Sequence, residues 1–247
     1  MKRIALLYLL AITIAEVVTV NVNLIGGVSG YIVIFAALVL HAALTHETAG
    51  HQLLVSLTLV PLIRIISLSL PLASIPSIWW YPIVYAPLLA TSWFIIRTLG
   101  YKWSEIGLQV KRVSPQLLIA SSGFIFGLLE YFILREEAEL TGLLMQKTWF
   151  LSALILMMTT GFVEELIFRG VLQRSAEQAL GRWGIVYTGL LFAIVHWIHG
   201  SLLDIAFVFV VALFFGWMVK KTGSLLGVTL SHGIANIILF LVAPLLF

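Results

Sequence analysis

The chain has 247 residues, 61% of them hydrophobic and only 10% charged, with a mean hydropathy of +1.10. A soluble domain carries about 25% charged residues, so this composition excludes an ordinary soluble protein and predicts an all-α polytopic membrane protein. The net charge of +3 is small and sits in short loops, which argues against nucleic-acid binding, and the absence of cysteine removes disulfides, thiolate metal sites and a cysteine nucleophile.

Apolar runs long enough to cross a bilayer recur along nearly the whole length. Lys2 and Arg3 lead into a first span near 4–24, without the small-residue cleavage site of a signal peptide. A glycine-rich turn containing "GVSG" (27–30) is expected before a second span near 29–46, and a loop containing "HETAGH" (46–51) after it. The third span, 52–73, holds Pro61 and Arg64 and is expected to be broken. A fourth follows at 78–99.

The polar connection 100–114 then divides the chain into N-terminal helices (1–100) and a C-terminal core (101–247). Further spans are expected near 115–134, with Gly123-x-x-x-Gly127 as a close-packing site, and near 148–168, 184–201, 203–220 and 225–245. The stretch 135–147, with its three glutamates, reads as a solvated loop or short helix. Eight and nine spans both fit. No internal repeat points to a transporter of inverted halves.

Orientation follows from the cations. With a cytoplasmic N-terminus, Lys2, Arg3, Lys102, Lys111, Arg112, Arg174, Arg182, Lys220 and Lys221 fall with others on the cytoplasmic side, while the outside loops hold only Arg135 and Lys147.

An ionisable group at mid-membrane costs at least about 2.5–3.5 kcal/mol and requires a partner, a wet cavity or a task. The C-terminal half concentrates such groups in "EELIFR" (164–169), "FAIVH" (192–196) and "SHGIANI" (231–237). On an α-helix Glu165 and Arg169 share a face and Glu164 points about 100° away. Phe192 and His196 share a face, as do His232 and Asn236. If the helix opening near Thr148 continues to Gly181, then Glu164, His196, His232 and Asn236 lie at depths of about 16–25 Å and converge in one pocket. A carboxylate beside an imidazole can activate water, and a His–Asn pair can donate to the oxyanion formed when water attacks a peptide carbonyl.

Other intramembrane protease patterns fit poorly. His46 and His51 in "HETAGH" are one residue too far apart for a zinc-binding HExxH helix. "GVSG" looks like the serine motif of rhomboid proteases, yet it falls in the expected turn. Asp204 is the only aspartate, and an aspartyl protease needs two. Glu16, His41, Arg64 and Glu130 read as interhelical pairs or interface residues.

Glu164-Glu165-x-x-x-Arg169, Phe192-x-x-x-His196 and His232-x-x-x-Asn236, in this order, resemble the three motifs of the CPBP family, the CAAX prenyl endopeptidases and bacteriocin-processing membrane proteases. "WSEIGLQ" (103–109) resembles a short segment preceding that family's core. The resemblance covers about 100–247. It implies a helical bundle around a conical cavity open to the cytosol, with water activated by Glu164 and His196, an oxyanion hole of His232 and Asn236, and supporting roles for Glu165, Arg169 and Phe192.

Relatives were long classed with metalloproteases, but the implied mechanism is glutamate-dependent and needs no cofactor. Two Glu and two His leave zinc open as an alternative. The expected partners are the lipid bilayer and a peptide or protein substrate at or in the membrane, and no nucleic acid. The competing readings are a non-proteolytic membrane scaffold or regulator with the same fold, and a transporter using the polar groups as an ion path.

Overall fold

The computed structural model describes residues 1–135, 138, 148–197 and 200–247. Most of the stretch 135–147, expected as a solvated loop or short helix, lies outside the described residues. The described residues are almost wholly helical, with eight stretches long and apolar enough to cross a membrane. The chain is therefore an all-α polytopic membrane protein. Its exposed large side chains are apolar along α1 (Lys2–Asn21), α2 (Leu24–Leu44) and α6 (Val113–Ile133), as helices facing lipid require.

The third stretch is broken, as Pro61 and Arg64 foretell. Pro61 has no N–H for the Leu57 carbonyl, and the helix divides there into α3 (Thr48–Leu57) and α4 (Leu59–Ser69). α5 (Trp80–Thr98) follows two short 3₁₀ turns. The sixth stretch spans 149–195, roughly 70 Å if straight and so far longer than one bilayer crossing. It opens as α7 (Trp149–Leu156), widens into π-helical turns over Met157–Glu164 and Leu166–Leu172, and resumes as α8 (Gln173–Leu180). Gly181, at φ +64°, then turns the chain so that α9 (Gly184–Val195) packs back on α8. The sixth and seventh expected spans thus fall within one folded-back stretch. α10 (Leu202–Thr222), α11 (Leu226–Ile237) and, after a π turn, α12 (Ala243–Leu246) complete the chain.

Two compact units form, each assembled from separate segments. The first contains residues 1–70, 90–101 and 171–216. In it α1 packs on α2, α2 on α3 and α4, α3 on α8, and α9 on α1. Glu16, Arg64 and Tyr31 meet inside this unit. Arg64 donates through Nε and one terminal nitrogen to the two Glu16 oxygens, at 2.8 and 2.5 Å, and the Tyr31 hydroxyl donates to Glu16 as well. All three are buried, so three helices are joined by a bidentate pair in a low-dielectric setting. The His41 ring takes the Tyr8 hydroxyl at 3.1 Å. These are the interhelical pairings anticipated for Glu16, Arg64 and His41.

Two sequence expectations are corrected here. "GVSG" is not a turn: α2 begins at Leu24, with Asn23 Oδ1 accepting the Gly26 N–H at 2.6 Å. Gly27 serves close packing instead, since a Cβ there would overlap Thr19 of α1. "HETAGH" is only partly a loop, because His51 lies on α3 and its Nδ1 sits 2.8 Å from the Ala42 carbonyl.

The second unit contains residues 71–89, 102–170 and 217–247. Its centre is α11, packed along α6 on one side and the π-helical turns on the other. The anticipated close packing at Gly123 and Gly127 occurs: a Cβ at either would strike the α11 backbone, at Ser231 and Ala235. The buried Gln116 side chain accepts the Gly227 N–H at 2.7 Å and so satisfies an orphan donor at the start of α11.

Candidate active site

Two π-helical runs, Met157–Glu164 and Leu166–Leu172, separated only by Glu165, carry the glutamate motif, where such turns usually occur singly and often at functional sites. Their i→i+5 bonding moves the carbonyls of the preceding turn out of the α-helical ladder. Thr159 and Thr160 compensate by donating their hydroxyls to the Ile155 and Leu156 carbonyls, at 2.6 and 2.8 Å. The wider helix still leaves Glu165 and Arg169 on one face, with Arg169 Nε 3.3 Å from Glu165 Oε2. Both are buried, Glu165 completely. Glu164 diverges from them and keeps a side chain 13% exposed.

α11 comes close to this helix because glycine occupies each side of the contact. A Cβ on Gly161 would lie 3.0 Å from the Gly233 Cα, and one on Gly233 would run into Met157. Both glycines stand inside the motifs, in "GFVEE" and "SHGIAN". The approach brings His232 between the two glutamates. Its Nδ1 is 2.8 Å from Glu165 Oε1 and its Nε2 is 3.9 Å from Glu164 Oε2. A carboxylate accepts, so Nδ1 carries the proton and Nε2 is presented to Glu164. At 3.9 Å that second contact is too long for a direct hydrogen bond.

Asn236, one turn beyond His232, donates from Nδ2 to Thr160 Oγ1 at 2.8 Å. Thr160 spends its own hydrogen on the Leu156 carbonyl, so it is the acceptor here and the orientation of the Asn236 amide follows. A second N–H of Asn236 then remains to donate elsewhere.

Two participants escaped the sequence reading. One is Thr160. The other is Tyr85 of α5, whose hydroxyl donates to Glu164 Oε1 and whose ring stacks on Tyr81. Tyr85 belongs to the N-terminal 100 residues, and nothing distinguishes it in sequence from the aromatic residues common at membrane interfaces.

The segment resembling the family's pre-core motif acts as a strap. Gly107, at φ +80°, turns its carbonyl to accept the Leu225 N–H at 2.9 Å, just ahead of α11. The Gln109 amide donates to Gly223 and Ser104 carbonyls, both at 3.0 Å. Gly170 leaves room for the Ile106 carbonyl, where a Cβ would sit 3.0 Å away. Residues 103–109 therefore contact both the helix bearing Glu164 and the approach to the helix bearing His232.

Phe192 and His196 lie in the first unit. α9 ends at Val195, short of the expected 201, and His196 caps it with Nδ1 2.7 Å from the Phe192 carbonyl and its ring 4.6 Å from the Phe192 ring. The carbonyl fixes the proton on Nδ1, so a neutral His196 ring offers Nε2 as an acceptor. Asp204 is buried in the first turn of α10, and its backbone N–H donates to Ser201 Oγ at 3.1 Å.

Glu164, Glu165, Arg169, His232 and Asn236 are thus brought together within one unit, joined by Tyr85 and Thr160. Among the described residues no three His, Asp or Glu side chains form a group able to hold a metal ion.

Residues 146–238 match a family model described as Rce1-like, type II CAAX prenyl endopeptidase. The match takes in all three motifs and none of the first five apolar stretches. Searches of curated proteins and of solved structures found no match. Over residues 146–238 the chain is similar to the Rce1-like, type II CAAX prenyl endopeptidase family.

Proposed function

We propose that this membrane protein is an endopeptidase that hydrolyses a peptide bond with water activated by Glu164. The observation that carries the reading is the split between the two glutamates. Glu165 is buried and committed to His232 and Arg169, whereas Glu164 is partly exposed, held at Oε1 by Tyr85, and faces His232 across 3.9 Å with Oε2. That separation is short enough for one water to touch both groups.

In the reaction, the water oxygen attacks the carbonyl carbon while Glu164 Oε2 takes its proton. The carbonyl π pair moves to oxygen, where the second N–H of Asn236 and the Nε2–H of a doubly protonated His232, whose Nδ1–H is held by Glu165, stabilise it. As the tetrahedral intermediate collapses, the C–N bond breaks and Glu164 returns its proton to the leaving nitrogen, leaving a carboxyl and an amine. Glu165 keeps the His232 ring in register through Nδ1.

No step uses a metal. The substrate class is a peptide segment at or in the membrane, and the cation bias of the loops supports a site reached from the cytoplasm.

The test is cleavage of a membrane-anchored fluorogenic peptide by purified protein in nanodiscs. Glu164→Ala is expected to abolish cleavage while melting like the parent, His232→Ala is expected to abolish it as well, and full activity in either would sink the assignment. Activity that disappears with a zinc chelator and returns with added zinc would overturn the metal-free reading.

A further inference from the structure

The first unit contains a second feature, lined by residues outside the three motifs. Where α1 packs on α9, a cavity of about 340 Å³ opens, walled by Ala5, Leu9, Trp183, Tyr187 and Leu190 and edged by Lys2. This volume falls in the range of about 300–1,000 Å³ typical of small-ligand pockets. Its walls are apolar apart from two groups, and those two define an occupant.

The first is the Tyr187 hydroxyl. Tyr187 is 5% exposed and lines the cavity, and its hydroxyl finds no hydrogen-bond partner among the described residues. Buried hydroxyls are normally satisfied, so the occupant is expected to bring an acceptor.

The second is the charge at the rim. Lys2 is exposed there, and the Arg182 guanidinium lies 5.5 Å from the centre of the Trp183 ring that forms part of the wall. Neither cation makes an ion pair among the described residues. A tryptophan flanked by cations at the end of apolar spans marks the headgroup level of a bilayer. Tyr187 follows Trp183, the residue before α9, by four positions, about 6 Å along the helix axis and so below the headgroup level that Trp183 would mark.

We propose that the α1–α9 cleft binds one anionic glycerophospholipid from the surrounding membrane. An acyl chain fills the cavity, an ester carbonyl accepts from the Tyr187 hydroxyl, and the phosphate sits between Lys2 and Arg182. Two cations that make no ion pair among the described residues select a net-negative headgroup over a zwitterionic one. The site depends on membrane embedding alone and stands apart from any proteolytic activity.

The experiment is native mass spectrometry of the full chain in detergent, titrated separately with phosphatidylglycerol, phosphatidylcholine and inorganic phosphate. The parent is expected to retain one phosphatidylglycerol at least tenfold better than phosphatidylcholine and to show no phosphate adduct of similar stability. The Lys2→Glu/Arg182→Glu variant, changed only at exposed positions, is expected to lose that preference. Tyr187→Phe is expected to weaken retention several-fold. Leu9→Trp, accepted only if it melts like the parent, is expected to block both lipids.

Equal retention of the two lipids by the parent would overturn the proposal, as would unchanged preference in the charge-reversed variant. Phosphate binding that matched the lipid would refute the acyl-chain component. None of these readouts involves peptide cleavage, so failure here is separable from failure of the protease reading.

Discussion

The His232 ring is fixed by Glu165, which accepts its Nδ1–H at 2.8 Å, and the same Glu165 also lies 3.3 Å from the Arg169 guanidinium through its other oxygen. One fully buried carboxylate thereby orients an imidazole on one helix and a cation on its own. Its neighbour Glu164 shares none of this work and holds the exposed side of the cluster.

Two adjacent conservative substitutions should therefore behave differently. Glu164→Gln is expected to lower turnover by about 10²–10⁴-fold, the usual scale for a lost general base, with little change in melting temperature. Glu165→Gln is expected to lower both, because it deprives buried Arg169 and His232 of their carboxylate, and breaking a buried pair costs about 3–5 kcal/mol. Cleavage rates and thermal melts of the two variants side by side decide it. Matching stability losses would contradict the division of labour.

Tyr85 supplies the next expectation. Its hydroxyl holds Glu164 Oε1, and a hydrogen bond to a charged group contributes about 1.5–3 kcal/mol. Tyr85→Phe should thus reduce kcat by roughly 10–100-fold with KM nearly unchanged, since the phenol bonds Glu164, the proposed base. A variant whose KM rises while kcat holds would recast Tyr85 as a substrate-binding residue.

The Asn236–Thr160 contact makes a graded pair. Asn236→Ala removes a proposed oxyanion donor, and such losses cost about 10²–10³ in kcat. Thr160→Val keeps the donor but removes the acceptor that aims it, so a smaller loss, on the order of tenfold, is expected. In the Asn236→Ala background, Thr160→Val should add almost nothing, because coupled residues are not additive. Fully additive losses would show that the two act separately.

How much of this was legible in the sequence depended on the physics behind each residue. Glu164, Glu165, Arg169 and His232 announced themselves because an ionisable group in an apolar span is costly and rarely accidental. The break at α3 and α4 was readable from Pro61, and the pairing of Arg64 from the same cost of burial. Tyr85 and Thr160 were not readable, since neither residue type is unusual in a membrane helix and their importance lies in contacts made across the fold. The π-helical turns were equally silent, because azimuths taken at the α-helical period assume the geometry that these residues abandon. Glycine misled once: "GVSG" carried the composition of a turn, but Gly27 is there so that α1 and α2 can touch.

The Glu16–Arg64 pair yields a final prediction, and one that separates architecture from chemistry. Both groups are buried and bonded through two nitrogens and two oxygens, with Tyr31 completing the set. Glu16→Leu alone leaves a buried guanidinium without its carboxylate and is expected to destabilise the first unit by about 3–5 kcal/mol, as is Arg64→Leu. The double variant Glu16→Leu/Arg64→Leu removes both charges together with their desolvation cost, so its stability should recover to within about 1–2 kcal/mol of the parent, because apolar replacement of a buried pair is often neutral. Thermal melts of the three proteins in one detergent measure this. A double variant as unstable as the sum of the singles would show that the pair is an irreplaceable stabilising contact of the first unit and not a satisfied burial cost.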